Sequence, residues 1–301
     1  MNRFLTGIAI SATLFLAQAC SSAVQSEQTT AANRDPHAGH SMHDMDSHAG
    51  HQMGDTQSAA EAKLTIPQNV TANKPVPLVI NIQDSAGKAR AKFDTFHTKL
   101  RHLIVVSDDL KFFSHLHPEY KGNGRFGVNA SFPNPGSYSL LSDYKPSGQK
   151  EQVSLMNAQV AGKQSSPAPT VNLNRSKTFG KTRVNFKSFD TPLKAGKEVM
   201  LMFELLDAST NQTIYDLQPY LGEKGHLVIL RQSPSLTRAD YIHAHATNEV
   251  PWCRGTASCP APAPGIVVFK TQFPQPGKYK LWGQFNRQGK IVTADFWVNV
   301  I

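Results

Sequence analysis

The feature that most constrains this chain is that it repeats itself. Lys74-Pro-Val-Pro-Leu-Val-Ile-Asn-Ile-Gln-Asp84 aligns with Lys197-Glu-Val-Met-Leu-Met-Phe-Glu-Leu-Leu-Asp207, and His102-Leu-Ile-Val-Val aligns with His226-Leu-Val-Ile-Leu. His115-Leu-His117 aligns with His243-Ala-His245, and Phe132-Pro-Asn-Pro-Gly-Ser-Tyr-Ser-Leu140 with Phe273-Pro-Gln-Pro-Gly-Lys-Tyr-Lys-Leu281. The offset grows from 123 through 124 and 128 to 141, so the second copy carries insertions. The largest follows His245 and holds Cys253, Cys259 and a Pro/Ala-rich stretch. Two copies make two domains rather than a solenoid. Each copy contains about six or seven short β-rich runs bounded by Gly, Pro, Asn and Asp. No long stretch has a 3.6-residue apolar period. The expected fold is all-β: two tandem immunoglobulin-like β-sandwich domains, at 64–160 and 171–301, joined by a linker at 161–170.

The N-terminal 63 residues do not follow this pattern. Arg3 and the apolar run from Phe4 to Ala17 match a signal peptide at 1–19, too short to span a bilayer. Leu16-Ala17-Gln18-Ala19-Cys20 resembles a bacterial lipobox, which makes Cys20 the lipidated first residue of an exported chain. The alternative is ordinary cleavage near Ala19, with Cys20 left as a thiol. Ser21 and Ser22 after the cysteine favour outer-membrane sorting, so the expected place is the cell envelope, lipid-anchored and facing the periplasm. Export to an oxidising space makes Cys253 and Cys259 a disulfide pair. Residues 20–63 have almost no large apolar side chains and are expected to be a disordered tether.

Within that tether lies a His/Met repeat: His37-Ala-Gly-His40-Ser-Met42 and His48-Ala-Gly-His51-Gln-Met53, with His43 and Met45 between. Imidazole binds copper, zinc and nickel, and thioether sulfur adds a preference for Cu(I). Interleaving both in one pliant segment suits copper in either oxidation state, Cu(I) or Cu(II), with zinc or nickel as alternatives. The glycines argue against a rigid helical site.

The remaining histidines fall in the repeats. His115-x-His117 on a strand puts two imidazoles on one face, about 6.5–7 Å apart. A four-residue hairpin loop at Asp108-Asp-Leu-Lys111 pairs Ser107 with Phe112, hence His102 with His117, with His115 a diagonal neighbour. Three imidazoles then converge, enough for a three-nitrogen metal site. His97 would have to approach from a loop as a fourth donor. The second copy keeps His226, His243 and His245 but has Pro219 or Leu221 near the place of His97, so it is expected to bind metal more weakly or differently. The competing reading makes these histidines structural, bonded to backbone or to Glu119.

The block from His97 to Glu119, with Phe132-Pro-Asn-Pro-Gly-Ser-Tyr138, resembles the YtkA-like or related immunoglobulin-like modules of exported bacterial proteins. The second copy looks like a diverged member. The resemblance implies an envelope location, an association with copper handling, and His97, His102, His115 and His117 as the residues to watch. The tail is similar to the His/Met-rich segments of periplasmic copper-resistance proteins.

Several enzyme classes are set aside. Cys253 and Cys259 have no following His or Met at blue-copper spacing. There is no Gly-x-Ser-x-Gly elbow and no phosphate-binding glycine loop. The formal charge of +9 invites a nucleic-acid reading, but export excludes it. The charge is also divided: residues 21–63 hold two basic and six acidic side chains, residues 64–301 hold 28 basic and 16 acidic. The expectation is a non-catalytic envelope protein that captures copper and exchanges it by ligand exchange, its partners being metal ions, the membrane through the anchor, and a copper exporter or other envelope protein. The alternative is an interaction or structural lipoprotein that docks another envelope protein.

Overall fold

The computed structural model describes residues 60–163, 170–250, 253 and 260–301, together with the backbone of 51–52. The described part from residue 60 onward lies within one compact unit. It is built of strands, with one short 3-10 turn at Arg238–Asp240. No helix among the described residues is long and apolar enough to cross a membrane.

The first sandwich faces one four-stranded antiparallel sheet with another. One sheet runs β2 (Glu61–Thr65), β3 (Pro75–Gln83), β7 (Arg125–Ser131), β6 (Glu119–Tyr120); the other runs β5 (Phe113–Leu116), β4 (Arg101–Ser107), β8 (Gly136–Tyr144), β9 (Gln152–Val160). β3 shows why these segments are strands. Its buried residues alternate as Val76, Leu78, Ile80 and Ile82, one face to the core and the other to solvent. Phe126, Phe132 and Tyr138 fill the same core.

The second sandwich contains β10 (Ser176–Phe179), β11 (Thr182–Ser188), β12 (Glu198–Asp207) and β16 (Ile266–Gln272) in one layer. The other layer has β13 (Leu217–Gln218), β14 (His226–Arg231), β15 (Tyr241–Thr247), β17 (Gly277–Arg287) and β18 (Lys290–Val300), with β1 (His51–Gln52) paired to β15. The two layers are joined because the end of β15 pairs with β16, Ala246↔Phe269 and Thr247↔Val268. The hydrogen-bonded sheet is therefore continuous around one edge. Its core holds Phe186, Phe203, Phe269, Phe285 and Phe296.

Strands β4 and β14 break the one-face rule, and this is what positions the site. Leu103 and Val105 face the first core, while Ile104 and Val106 belong to a third cluster that also contains Val228, Leu230, Tyr241, Trp282 and Trp297 of the second sandwich. Likewise Leu227 and Ile229 face inward and Val228 and Leu230 outward. The continuous apolar runs His-Leu-Ile-Val-Val and His-Leu-Val-Ile-Leu are thus strands buried on both sides. The two sandwiches pack sheet to sheet, with Phe113 stacked on Trp282 at 5.0 Å and 17°.

Candidate metal centre

Side chains alternate along a strand, so His102 shares the outward face of Ile104 and Val106, and His226 that of Val228 and Leu230. Both histidines therefore point into the contact between the sandwiches. The β4–β5 register pairs Leu103 with Leu116, and Ser107 N–H donates to Phe112 O at 3.3 Å. This is the hairpin expected from sequence, and it sets His102 against the His115-x-His117 pair. In the second sandwich His226 pairs directly with His245 and Val228 with His243. Each strand pair yields a triad whose ligand atoms lie within 4.8 Å of one another: His102, His115, His117 and His226, His243, His245.

The triads face each other. Ring centroids of His102 and His243 lie 5.4 Å apart, His115 and His243 5.7 Å, and His102 and His226 6.1 Å. The chain has twelve histidines, five of them in the tail; the other seven, His97 included, all meet here.

His97 departs from the expected arrangement. It does not complete the first triad as a fourth donor. Its ring stacks on His245 of the second sandwich, 3.3 Å between centroids and 18° between planes, and stands 6.3 Å from His102. The cause is a tight turn, Phe96-His97-Thr98-Lys99, with positive φ at both central residues (47° and 64°). The matching turn of the second copy is Tyr220-Leu221-Gly222-Glu223, with φ of 54° and 87°, so Leu221 is the counterpart of His97. The turns meet: a Cβ on Gly222 would lie 3.2 Å from Thr98 Cγ2. His97 therefore belongs to the surroundings of the second triad rather than to the first.

Hydrogen bonds restrict the tautomers, because a neutral imidazole carries one N–H and a carbonyl oxygen can only accept. His102 Nε2–H donates to Phe96 O at 3.3 Å, and His102 Nδ1 and His115 Nε2 are hydrogen-bonded at 3.0 Å. His115 Nδ1 bonds the side-chain amide of Gln284 at 2.7 Å, and that amide bonds Thr293 Oγ1 at 3.3 Å. In the second triad His243 Nδ1 bonds Asp143 Oδ2 at 2.8 Å, which leaves its Nε2 facing His226 Nδ1 at 3.3 Å. Tyr241 Oη–H also donates to Asp143 Oδ2, at 2.5 Å. The Nε2 atoms of His117 and His245 are buried with no hydrogen-bond partner among the described residues.

Five of the rings, His102, His115, His117, His226 and His245, are held neutral. Burial, reinforced by His243 as a like charge, pushes His102 and His245 well below the ordinary histidine value and does the same to His226. Burial lowers His115 and His117 to about 3. Neutral imidazoles with converging lone pairs are a metal-binding donor set, and an all-nitrogen set fits copper, zinc or nickel better than calcium or magnesium. The two triads could hold metal ions. Glu119 takes no part; it pairs with Lys121 at 2.6 Å.

Sequence reasoning missed Asp143 and Gln284. The repeat could have found them, because both lie eleven residues after the Phe of the Phe-Pro-x-Pro-Gly anchor, polar residues at matched positions of matched strands. Of the other expected sites, Cys20, His37, His40, Met42, His43, Met45, His48, Met53 and Cys259 lie outside the described residues, as do the signal segment and most of the tether. His51 lies within β1, where its Cα partner is His243.

The domain family described as "Domain of unknown function (DUF8832)" matches residues 56–161 and 177–301. The chain belongs to this family. The two matched stretches follow the two sandwiches. No curated protein matches. Among solved structures the chain is similar to the adhesin InvE of Yersinia pseudotuberculosis, at 11% identity and TM-score 0.23, over 79% of this chain and 59% of that one. It is similar to invasin, a bacterial integrin-binding protein, at 10% identity and TM-score 0.22, over 79% and 39%. It also matches an alpha-2-macroglobulin from Escherichia coli at 12% identity and TM-score 0.26, over 80% and 15%. The chain thus spans less than two thirds of each, and at such scores the likeness carries no argument about function.

Proposed function

We propose that this DUF8832 protein is an envelope-anchored metal-binding protein that sequesters or delivers copper, without catalysing a reaction. The observation that carries the reading is the pair of facing triads, each with three imidazole nitrogens within 4.8 Å of one another, brought together between the sandwiches in a cluster of seven histidines. Among them the Nε2 atoms of His117 and His245 are buried without a hydrogen-bond partner among the described residues, and leaving such an atom unpaired costs about 1–3 kcal/mol, which a bound cation would offset.

Copper is favoured over zinc and nickel by the tail, whose methionines are soft donors, and by the resemblance of the His97–Glu119 block to YtkA-like modules. β1 pairs antiparallel with β15 so that His51 stands opposite His243. Directly opposed Cα atoms in such a pair are about 4.5–5.5 Å apart, so one histidine of the repeat sits beside the strand that carries His243 and His245, which supports ion passage by ligand exchange. Lipidation at Cys20, export and outer-membrane placement rest on the lipobox-like leader. A Cys253–Cys259 disulfide is supported by the bonded state of Cys253 and by the assignment of the third cysteine to lipid.

The test is metal analysis of the mature chain after copper loading and dialysis. Loss of residues 35–55 should leave copper bound at the folded cluster. Replacing His102, His115 and His117 by Asn in that background should remove the first-triad share. An intact chain that retains no copper, zinc or nickel would sink the reading and favour the alternative, a docking lipoprotein whose histidines are structural.

A further inference from the structure

The groups that orient the histidines do not come from the sandwich that carries them. His243 of the second sandwich is held by Asp143, which lies on β8 of the first, directly opposite His102 in the sheet. His115 of the first is held by Gln284, which lies on β17 of the second, directly opposite His226. The crossing is reciprocal, and the repeat relates its two halves. It is unequal in charge: one middle histidine is backed by a carboxylate, the other by a neutral amide. The third crossing, His97 onto His245, again serves the second triad.

We propose that the two triads form a single interdomain centre that takes two late first-row metal ions in a fixed order, the Asp143-backed triad filling first and more tightly. This rests on the metal-binding reading above. The reason for the order is electrostatic. A carboxylate accepting the distal N–H of a ligating imidazole makes the other nitrogen a stronger donor, and such partners change metal affinity by about 10–100-fold. Asp143 is buried, at 4% exposure, so its charge is screened by water less than that of a surface carboxylate. Gln284 fixes the His115 ring equally well but brings no charge. A further consequence is that neither triad is complete on one sandwich. Each needs the partner sandwich to hold its middle ring in the ligating tautomer, so binding is a property of the docked pair.

The experiment uses the full-length chain with the eight tail donors replaced (His to Ser, Met to Leu), titrated with Cu2+ against a competing chelator. Two ions should bind with separable affinities. Asp143→Asn should weaken the tighter ion about 10–100-fold and shift its Cu2+ EPR parameters, while the weaker ion changes less than about twofold. Gln284→Glu is the reverse test, and because it predicts a gain it cannot be mimicked by misfolding. It should tighten the weaker ion by about tenfold or more and close the gap between the two. The proposal is overturned if only one ion binds, if Asp143→Asn weakens both ions equally or neither, or if Gln284→Glu leaves the weaker ion unchanged. Each of those outcomes leaves metal binding itself standing; only a chain that takes up no Cu2+ at all removes both.

Discussion

The two triads use the same strand pair, the same outward face and the same His-x-His spacing, yet they sit in different surroundings. In the first, His115 and His117 are only half-buried, and the supporting group is an amide; in the second, His226, His243 and His245 are all buried, the supporting group is a carboxylate, and His97 lies over one ring. Duplication copied the donors and left their environments to diverge. Ligand positions in such a fold follow from strand periodicity, which a copy inherits whole. Burial and second partners depend on what packs against the strand, which each copy acquires separately.

The largest expected effect comes from a change that breaks the comparison by loosening both triads at once. Trp282 is 2% exposed and stacks on Phe113, the first residue of the strand that carries His115. Trp282→Ala should cost about 3–5 kcal/mol of stability, measured by denaturant unfolding. If the centre is shared between the sandwiches, both metal affinities should fall together; a loss confined to the second triad would show that the sandwiches hold their metals independently.

The interface is also where the sequence stopped being informative. The duplication, the strands and the hairpin that brings His102 to His117 are legible because they depend on local pattern: alternation, turn residues and spacing. The meeting of the triads is not local. A hint was present, since His102-Leu-Ile-Val-Val and His226-Leu-Val-Ile-Leu do not alternate, and a run without polar positions implies a strand covered on both faces. What covers the second face cannot be read from one strand. His97 was misplaced for the same reason. Its turn geometry gives it a direction, but the object in that direction, His245, lies 148 residues away.

A second prediction sharpens the comparison through pH. In the metal-free chain the folded-state values of His115 and His117 are about 3, and those of His102, His226 and His245 lie well below their usual position, while the unfolded chain titrates near 6.5. Between those limits the unfolded state binds more protons, so stability rises with pH. The histidine cluster should therefore be harmless above about pH 6.5 and increasingly destabilising as the pH falls towards 3. Thermal midpoints measured from pH 7.5 to 4 should drop steeply for the metal-free chain. His245→Gln should relieve more of that drop than His117→Gln, because the second triad is the drier. Equal relief would mean that the difference in burial has no energetic weight. Bound metal should flatten the dependence until the pH is low enough for protons to displace it.

The smallest effect concerns the residue before each leading histidine, where the copies differ most in chemistry. Gly225 precedes His226 because there is no room: a Cβ there would lie 3.0 Å from Gln284 O and 3.1 Å from Phe285. The first copy has Arg101, fully buried, its guanidinium 4.4 Å over Phe126 and 5.0 Å over Tyr144, with Nε, Nη1 and Nη2 lacking a hydrogen-bond partner among the described residues. Desolvation lowers it to about 9. A cation whose folded value lies below its unfolded one is penalised by folding at every pH below about 9, and the penalty fades as the pH rises towards the unfolded value. The two ring faces offset part of this, typically by about 0.5–2 kcal/mol. Asp143 and Tyr144 compensate this buried charge only in part, and replacing it by an apolar side chain of similar length removes the penalty and keeps the packing. Arg101→Met should thus leave stability unchanged or raise it by about 1 kcal/mol at pH 7, read by urea unfolding, and any change in metal affinity should fall on the Asp143-backed triad rather than on the first. A loss greater than about 1 kcal/mol would mean that the ring contacts outweigh desolvation and that the arginine is what holds the sheet of the first triad in place.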